Sequence, residues 1–177
     1  TDHELRFCQS MADLSAAAIA NAQLFDQVAR AKAEWEHTFD SIPELVAIID
    51  THNRLVRVNR AVAERLHVAP DQLIGQHYYT ALHGTEGPLP GCPHIQALVT
   101  GKSTTLEVED PHLGGIFLIT SSPVVDGEDR AVGSVLIARD ITEMKRLEEE
   151  SRQRQRFEDI SRAKSAFIAT MSHELRS

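Results

Sequence analysis

Toward the C-terminal end of the sequence, one histidine is placed for nucleophilic chemistry. At about 100° per residue, Ile160, Lys164, Phe167, Ile168, Met171 and Leu175 gather within one helical stripe, and His173 falls on roughly the opposite side. The stripe is expected to pack and His173 to face water. A neutral imidazole exposed in this way presents a nitrogen lone pair as a nucleophile. Glu174 follows directly, and a carboxylate beside an imidazole favours its charged form. Ser177 lies four residues beyond His173 on the same helical face.

A second concentration of reactive side chains runs from His77 to His94. It holds His77, Tyr78, Tyr79, His83, Cys92 and His94, a local enrichment in side chains able to ligate a metal or haem iron. Cys92-Pro93-His94 places a thiol and an imidazole at the start of a short helix. The same unit serves equally as a plain helix start, with proline at the first helical position and polar side chains near open N–H groups. The structural role is the expectation, with no metal, and His77, His83, Cys92 and His94 are the candidates for contact with a cofactor. His52, His67 and His112 fall in or beside turns and are expected at the surface. Trp35 is expected to anchor a helix to a sheet.

Composition narrows the classes. The chain has 177 residues, 42% hydrophobic and 25% charged, which fits one globular core with extensions. A formal net charge of −8 argues against a broad nucleic-acid or anionic-membrane surface. The longest apolar runs, Leu45 to Ile49 and Val132 to Ala138, are far shorter than the roughly 20 residues that span a bilayer. Cys8 and Cys92 form neither a disulfide framework nor a CxxC pair, which suits a reducing cytoplasm. The sequence starts without Met and is expected to be part of something longer.

The elements that position these residues follow from periodicity. Residues 2–40 lack Gly and Pro, and Leu5, Cys8, Ala12, Ser15, Ile19, Ala22 and Phe25 recur at spacings of three and four, which predicts one long amphipathic helix stopped by Pro43. Residues 44–50 and 54–58 read as a hairpin, with Val56 and Val58 in register. Residues 59–67 return to helical spacing, 84–91 must be loop, and 93–100 form a short helix ended by Gly101. Three further strands are expected at 104–110, 116–125 and 131–140. The expected fold is α+β, a five-stranded antiparallel sheet with small helices across one face, flanked by long terminal coiled-coil helices. The second of these runs from Ile141 to the end without Gly or Pro and is almost wholly polar from Glu148 to Arg156, so it needs a partner helix.

The hairpin followed by VNRAVAERLHVAPDQLIGQ, and the last strand running into ARDITEMK, resemble the PAS domain family over about Trp35 to Arg146. In that family the final strand passes through an Asp-Ile-Thr turn into an output helix, so Asp140, Ile141 and Thr142 are expected to transmit signal. PAS relatives that bind haem often take an axial histidine from the region of His77 to His94. The helix NRAVAERL lacks the reactive cysteine of light-sensing PAS relatives, which argues against a flavin. LSAAAIANAQLFDQVA looks like the closing helix of a GAF domain. The expected organisation is a GAF-like linker helix over 1–40, a PAS sensor over 41–140, and a signalling helix over 141–177.

KSAFIATMSHELRS, residues 164–177, is similar to the H box of sensor histidine kinases. The resemblance implies that His173 accepts phosphate from ATP and passes it to a response-regulator aspartate, that Glu174 orients or deprotonates the imidazole, and that Ser177 occupies a position used in dephosphorylation, where Thr or Asn is usual. It implies a separate kinase domain that binds ATP and a receiver domain as partner. The stripes Leu5, Ala12, Ile19 with Phe25 and Phe157, Ile160, Phe167, Met171 are too apolar to leave in water, so a parallel homodimer through both terminal helices is expected. The sequence holds no glycine-rich nucleotide lid, so alone it is not expected to autophosphorylate. The alternative is a PAS ligand-binding or dimerisation module, sensing haem or redox state, without phosphotransfer.

Overall fold

The computed structural model describes the backbone of residues 2–174 and the side chains of residues 19–165, 168 and 171. The first helix, α1, runs over Asp2–Ser41 and stops short of Pro43. Its last turns close on themselves, with Thr38 Oγ1 donating to the Glu34 carbonyl and Ser41 Oγ to that of Thr38, both at 2.8 Å. Strands β1 (Leu45–Asp50) and β2 (Leu55–Val58) then form the first hairpin. Four short helices follow: α2 (Arg60–Leu66), α3 (Pro70–Leu73), α4 (Tyr78–His83) and α5 (Pro93–Thr100). Strands β3 (Thr104–Asp110), β4 (Gly115–Val125) and β5 (Ala131–Asp140) complete the sheet, and α6 (Thr142–Glu174) leaves it.

The sheet is antiparallel throughout, in the order β2-β1-β5-β4-β3. Hairpins alone cannot make this order; pairing of β1 with β5 closes it, with Leu45 opposite Ala138 and Ile49 opposite Ser134. The inward-facing residues alternate along each strand as a one-sided sheet requires. Ala47 and Ile49 on β1, Phe117 and Ile119 on β4, and Leu136 and Ala138 on β5 are buried under Val62, Leu73, Tyr78 and Leu82 of the helices. Each large side chain among them contributes about 1.5–3 kcal/mol through burial.

One expectation fails in the first hairpin. The pairing of β1 with β2 shifts between Ile48 and Ile49, so that Arg57 faces Ile48 and Leu55 faces Ile49. Val56 is the extra residue of this bulge and is 51% exposed, while Leu55 and Val58 are buried. A simple period-two reading puts Val56 and Val58 together on one face; the inserted residue breaks that phase.

The end of α1 docks on the hairpin edge. Trp35 stacks on Phe39 with ring centroids 5.1 Å apart, and the Arg57 guanidinium lies 4.5 Å from the Trp35 ring while pairing with Glu36. Trp35 thus serves as the expected anchor of helix to sheet, through a cation rather than through deep burial. His52, His67 and His112 are exposed as expected. None of the described helices is long and apolar enough to cross a membrane.

Candidate functional site

The region 77–94 is built by α4, the loop after it and the start of α5. Tyr78, Ala81 and Leu82 supply the buried face of α4, and Gly84 ends it in the left-handed region at φ 64°. Pro93 opens α5 and buries the side chains on either side of it, Cys92 and His94.

Within the core these residues form a polar network. The His94 ring bonds through Nε2 to Asn53 Oδ1 at 3.1 Å and through Nδ1 to Ser134 Oγ at 2.7 Å, and Ser121 Oγ donates to Ser134 Oγ at 2.9 Å. An amide oxygen only accepts, so the pattern is satisfied by one neutral tautomer: Nε2–H donates to Asn53, and Nδ1 accepts the Ser134 hydroxyl. Burial pushes the His94 pKa down to about 4 against the upward pull of Asp50, which keeps the ring neutral at physiological pH. Tyr78 packs edge-on to His94 with centroids 5.0 Å apart and shares a 2.9 Å hydrogen bond with Cys92 Sγ. Burial first, and then the bond to Cys92, push the Tyr78 phenol well above its ordinary range.

The other two candidates are held differently. His83 Nδ1–H donates to Asp110 Oδ2 at 2.5 Å in a buried pair, and Asp110 Oδ1 accepts the backbone N–H groups of His112 and Leu113. His77 stacks on Tyr79 at 5.0 Å, and its Nδ1 is buried without a hydrogen-bond partner. His77, His83, Cys92 and His94 therefore do not converge on a shared centre. Among the described residues no three His, Cys, Asp or Glu side chains gather to hold a metal ion. Both His94 nitrogens are engaged, and this arrangement does not fit an axial haem ligand there.

The strand-to-helix junction is the second constellation. Asp140 Oδ1 accepts the Thr142 N–H at 3.0 Å and the Thr142 hydroxyl at 2.6 Å. Thr142 Oγ1 in turn accepts the Ile116 N–H at 2.8 Å, and the Ile141 N–H donates to the Ile116 carbonyl at 2.8 Å. Asp140 thus caps the helix start as expected, whereas the Thr142 hydroxyl serves β4. Arg65 reaches the same point from α2, donating to the carbonyls of Leu113 and Gly114 and to Asp140 Oδ2 at 3.2 Å. Burial opposes ionisation of Asp140, but the two bonds from Thr142 and the Arg65 charge outweigh it and hold the carboxyl below its ordinary range. One turn later Lys145 pairs with Glu107 on β3 at 2.8 Å.

A third residue ties the entry helix to the same domain. Asn59, fully buried, donates through Nδ2 to the carbonyls of Ile42 and Glu44, and its Oδ1 accepts the N–H groups of Val46 and Val62. It is at once the N-cap of α2 and the clasp on the chain leaving α1.

Sequence reasoning missed Asn53, Ser121, Ser134, Asn59 and Arg65. Ser121 and Ser134 carried a signal: each sits at an inward strand position otherwise filled by apolar residues, where a hydroxyl needs a partner. The proposed phosphoacceptor lies at the far end. The α6 backbone runs through His173 and Glu174, but their side chains lie outside the described residues, and so does the whole of Ser177.

Comparison with known proteins agrees with this geometry. No curated protein matches the chain. Among solved structures, a PAS domain from Colwellia psychrerythraea aligns with 20% identity and a TM-score of 0.49, over 66% of this chain and 98% of that one. An RNA-binding light-oxygen-voltage receptor aligns with 16% identity and a TM-score of 0.54, over 73% and 38%. The photoactive yellow protein domain of the sensor histidine kinase Ppr from Rhodospirillum centenum aligns with 16% identity and a TM-score of 0.48, over 59% and 91%. The PAS fold family model matches residues 39–146, from the last turn of α1 to the first turns of α6, and the chain belongs to the PAS family.

Proposed function

We propose that the chain is the sensing and signal-transmitting segment of a two-component sensor histidine kinase, with His173 as phosphoacceptor. The observation that carries this is the course of α6: one uninterrupted helix joins the Asp140–Thr142 junction of the PAS domain to the histidine of the SHELR motif. A rotation or tilt imposed at the junction then reaches His173 without an intervening loop. In the reaction a neutral ring nitrogen of His173 attacks the γ-phosphorus of ATP held by a separate domain. The bond from that phosphorus to the β,γ-bridging oxygen breaks, ADP leaves, and the proton of the other ring nitrogen passes to the Glu174 carboxylate. A receiver-domain aspartate afterwards takes the phosphoryl group. Ser177 would position water for dephosphorylation with its hydroxyl.

The active form is a homodimer through both terminal helices, in a cytoplasmic setting. Ile19 and Phe25 on α1, and Phe157, Ile160 and Met171 on α6, are exposed apolar side chains that a second copy would cover. Incubation of the chain with a purified histidine-kinase ATP-binding domain and radiolabelled ATP tests the reading. An acid-labile, alkali-stable label lost in His173→Gln is expected. Absence of label on the wild-type chain, with the same kinase domain active on its own acceptor helix, would leave the PAS module without phosphotransfer.

A further inference from the structure

A groove of about 420 Å³ lies outside the core, where the end of α2, α3 and α4 converge beneath the turn joining β3 to β4. That is the size range of small-ligand sites. Leu66, Val68 and Leu73 form apolar lining, and Leu73 is part of the core itself. Its polar lining includes three basic side chains, Arg65, His67 and His112, and no Asp or Glu. In a chain of formal net charge −8, counted with histidine neutral, this lining carries one positive charge, on Arg65, and no negative one. His67 is fixed as the α2 C-cap in the left-handed region, and the His112 ring lies against Gly84, where an added Cβ would come within 3.0 Å of Nδ1.

We propose that this groove binds a small amphipathic carboxylate, apolar body on Leu66, Val68 and Leu73 and carboxylate among Arg65, His67 and His112. A charge-assisted bond from Arg65 and hydrogen bonds from the two imidazoles select the anion, and the apolar lining selects its body. The site also has a route to the output helix. Arg65 lines a second groove of about 280 Å³, shared with Phe117 and Asp140, and its guanidinium is the ion-pair partner of Asp140. A carboxylate in the first groove competes with Asp140 for Arg65 and so loosens the junction that starts α6. Phosphotransfer by His173 plays no part in this, so the two ideas stand or fall separately.

The test uses octanoate and its uncharged counterpart octanamide with the full chain, read by calorimetry and by amide shifts in NMR. Octanoate should bind saturably, shifting Val68 and Ala81, with octanamide about tenfold weaker because it lacks the charge. The double variant His67→Asn with His112→Gln, both exposed positions, should weaken octanoate to a similar degree and leave octanamide unchanged. Octanoate should also shift the Thr142 amide. No saturable octanoate binding, equal affinity for the two probes, or octanoate affinity unchanged in the double variant would overturn the site. Saturable binding that leaves Thr142 unmoved would overturn the competition for Arg65.

Discussion

The Thr142 hydroxyl donates to Asp140 Oδ1 at 2.6 Å and at the same time accepts the Ile116 N–H at 2.8 Å, so one side chain joins the last strand, the preceding strand and the output helix. Asp140 is the acceptor that fixes the direction of that hydroxyl, and Arg65 holds Asp140. Replacement of Asp140 by Ala removes the cap and the carboxylate partner of Arg65, whose bonds to the Leu113 and Gly114 carbonyls remain, while leaving every buried core residue in place. The expected result in the parent kinase is a narrowed difference between stimulated and resting output, with a melting temperature lowered by no more than about 5 °C. Autophosphorylation assays with and without stimulus check this, and an unchanged difference would show that the junction carries no signal.

Gly115 offers an independent probe of the same junction. A Cβ at this position would sit 2.5 Å from Thr142 Oγ1 and 3.3 Å from the Phe117 ring. Gly115→Ala should therefore displace Thr142 from Ile116, while it meets the Arg65 guanidinium only in ordinary contact at 3.5 Å. Loss of the Thr142–Ile116 bond is expected to cost about 1 kcal/mol and to alter output as Asp140→Ala does. Denaturant unfolding and the same kinase assay would separate the two effects.

Asn59 makes four hydrogen bonds from a fully buried position, and alanine there leaves Ile42, Glu44, Val46 and Val62 without their side-chain partner. Asn59→Ala should destabilise the PAS domain by on the order of 3 kcal/mol, since orphaned buried groups cost about 1–3 kcal/mol each and some will find water. Asn59→Asp should also destabilise, because a carboxylate cannot donate to the two carbonyls. Urea midpoints of the two variants provide the check.

Local chemistry made most of the fold legible, and distance hid most of the site. The three strands after α5 were readable because Gly and Pro bracket runs of β-branched residues. Helix α4 was not: its six residues contain too few turns for a period to emerge, and His77 brings no capping side chain. The Val56 bulge was hidden because alternation before and after it looks unbroken. Arg65 could not have been placed by pattern at all, since its partners Leu113 and Asp140 lie 48 and 75 positions away. The same holds for His94, whose bonds to Ser134 and Asn53 span 40 and 41 positions. Titratable residues gathered in sequence at 77–94 offered possible ligands beside the structural role expected of them, and the fold pairs His83 with Asp110, Cys92 with Tyr78, and His94 with Ser134 and Asn53.

His94 makes the domain sensitive to acid with a definite sign. Its folded pKa of about 4 lies below the ordinary histidine value of 6.5, so the folded state resists protonation that the unfolded chain accepts. Stability is fully present above pH 6.5 and falls as pH drops toward about 4, by roughly 3 kcal/mol over the window. His94→Gln should lower stability at neutral pH and flatten that slope. Urea midpoints across this pH range check it; a slope as steep in the variant as in the wild type would assign the acid sensitivity elsewhere. Because both ring nitrogens are engaged, added haemin should also give no Soret band that depends on His94.

The tract Glu148 to Arg156 is the place where α6 is expected to be weak by composition. Polar side chains in it and just before it bond along the helix itself, Arg146 to Glu143 and Glu150, and Gln153 to Glu149 at 3.1 Å. Apolar side chains resume at Phe157 and Ile160, which are 75% and 67% exposed. Continuing their spacing backward puts Ser151 and Arg154 at or near the seam that a second copy would meet, where apolar residues give a coiled coil most of its stability. A polar seam leaves two helical rotations close in free energy, so the modest force that the Asp140–Thr142 junction can exert suffices to choose between them. Leucine at both positions should lock one rotation. The expected outcome is a dimer that melts higher, with kinase output fixed either high or low whatever the stimulus. Thermal unfolding and stimulus-dependent autophosphorylation measure the two halves of the claim. A stabilised double variant that still responds as the wild type does would show that the tract only sets the distance between the sensor and His173.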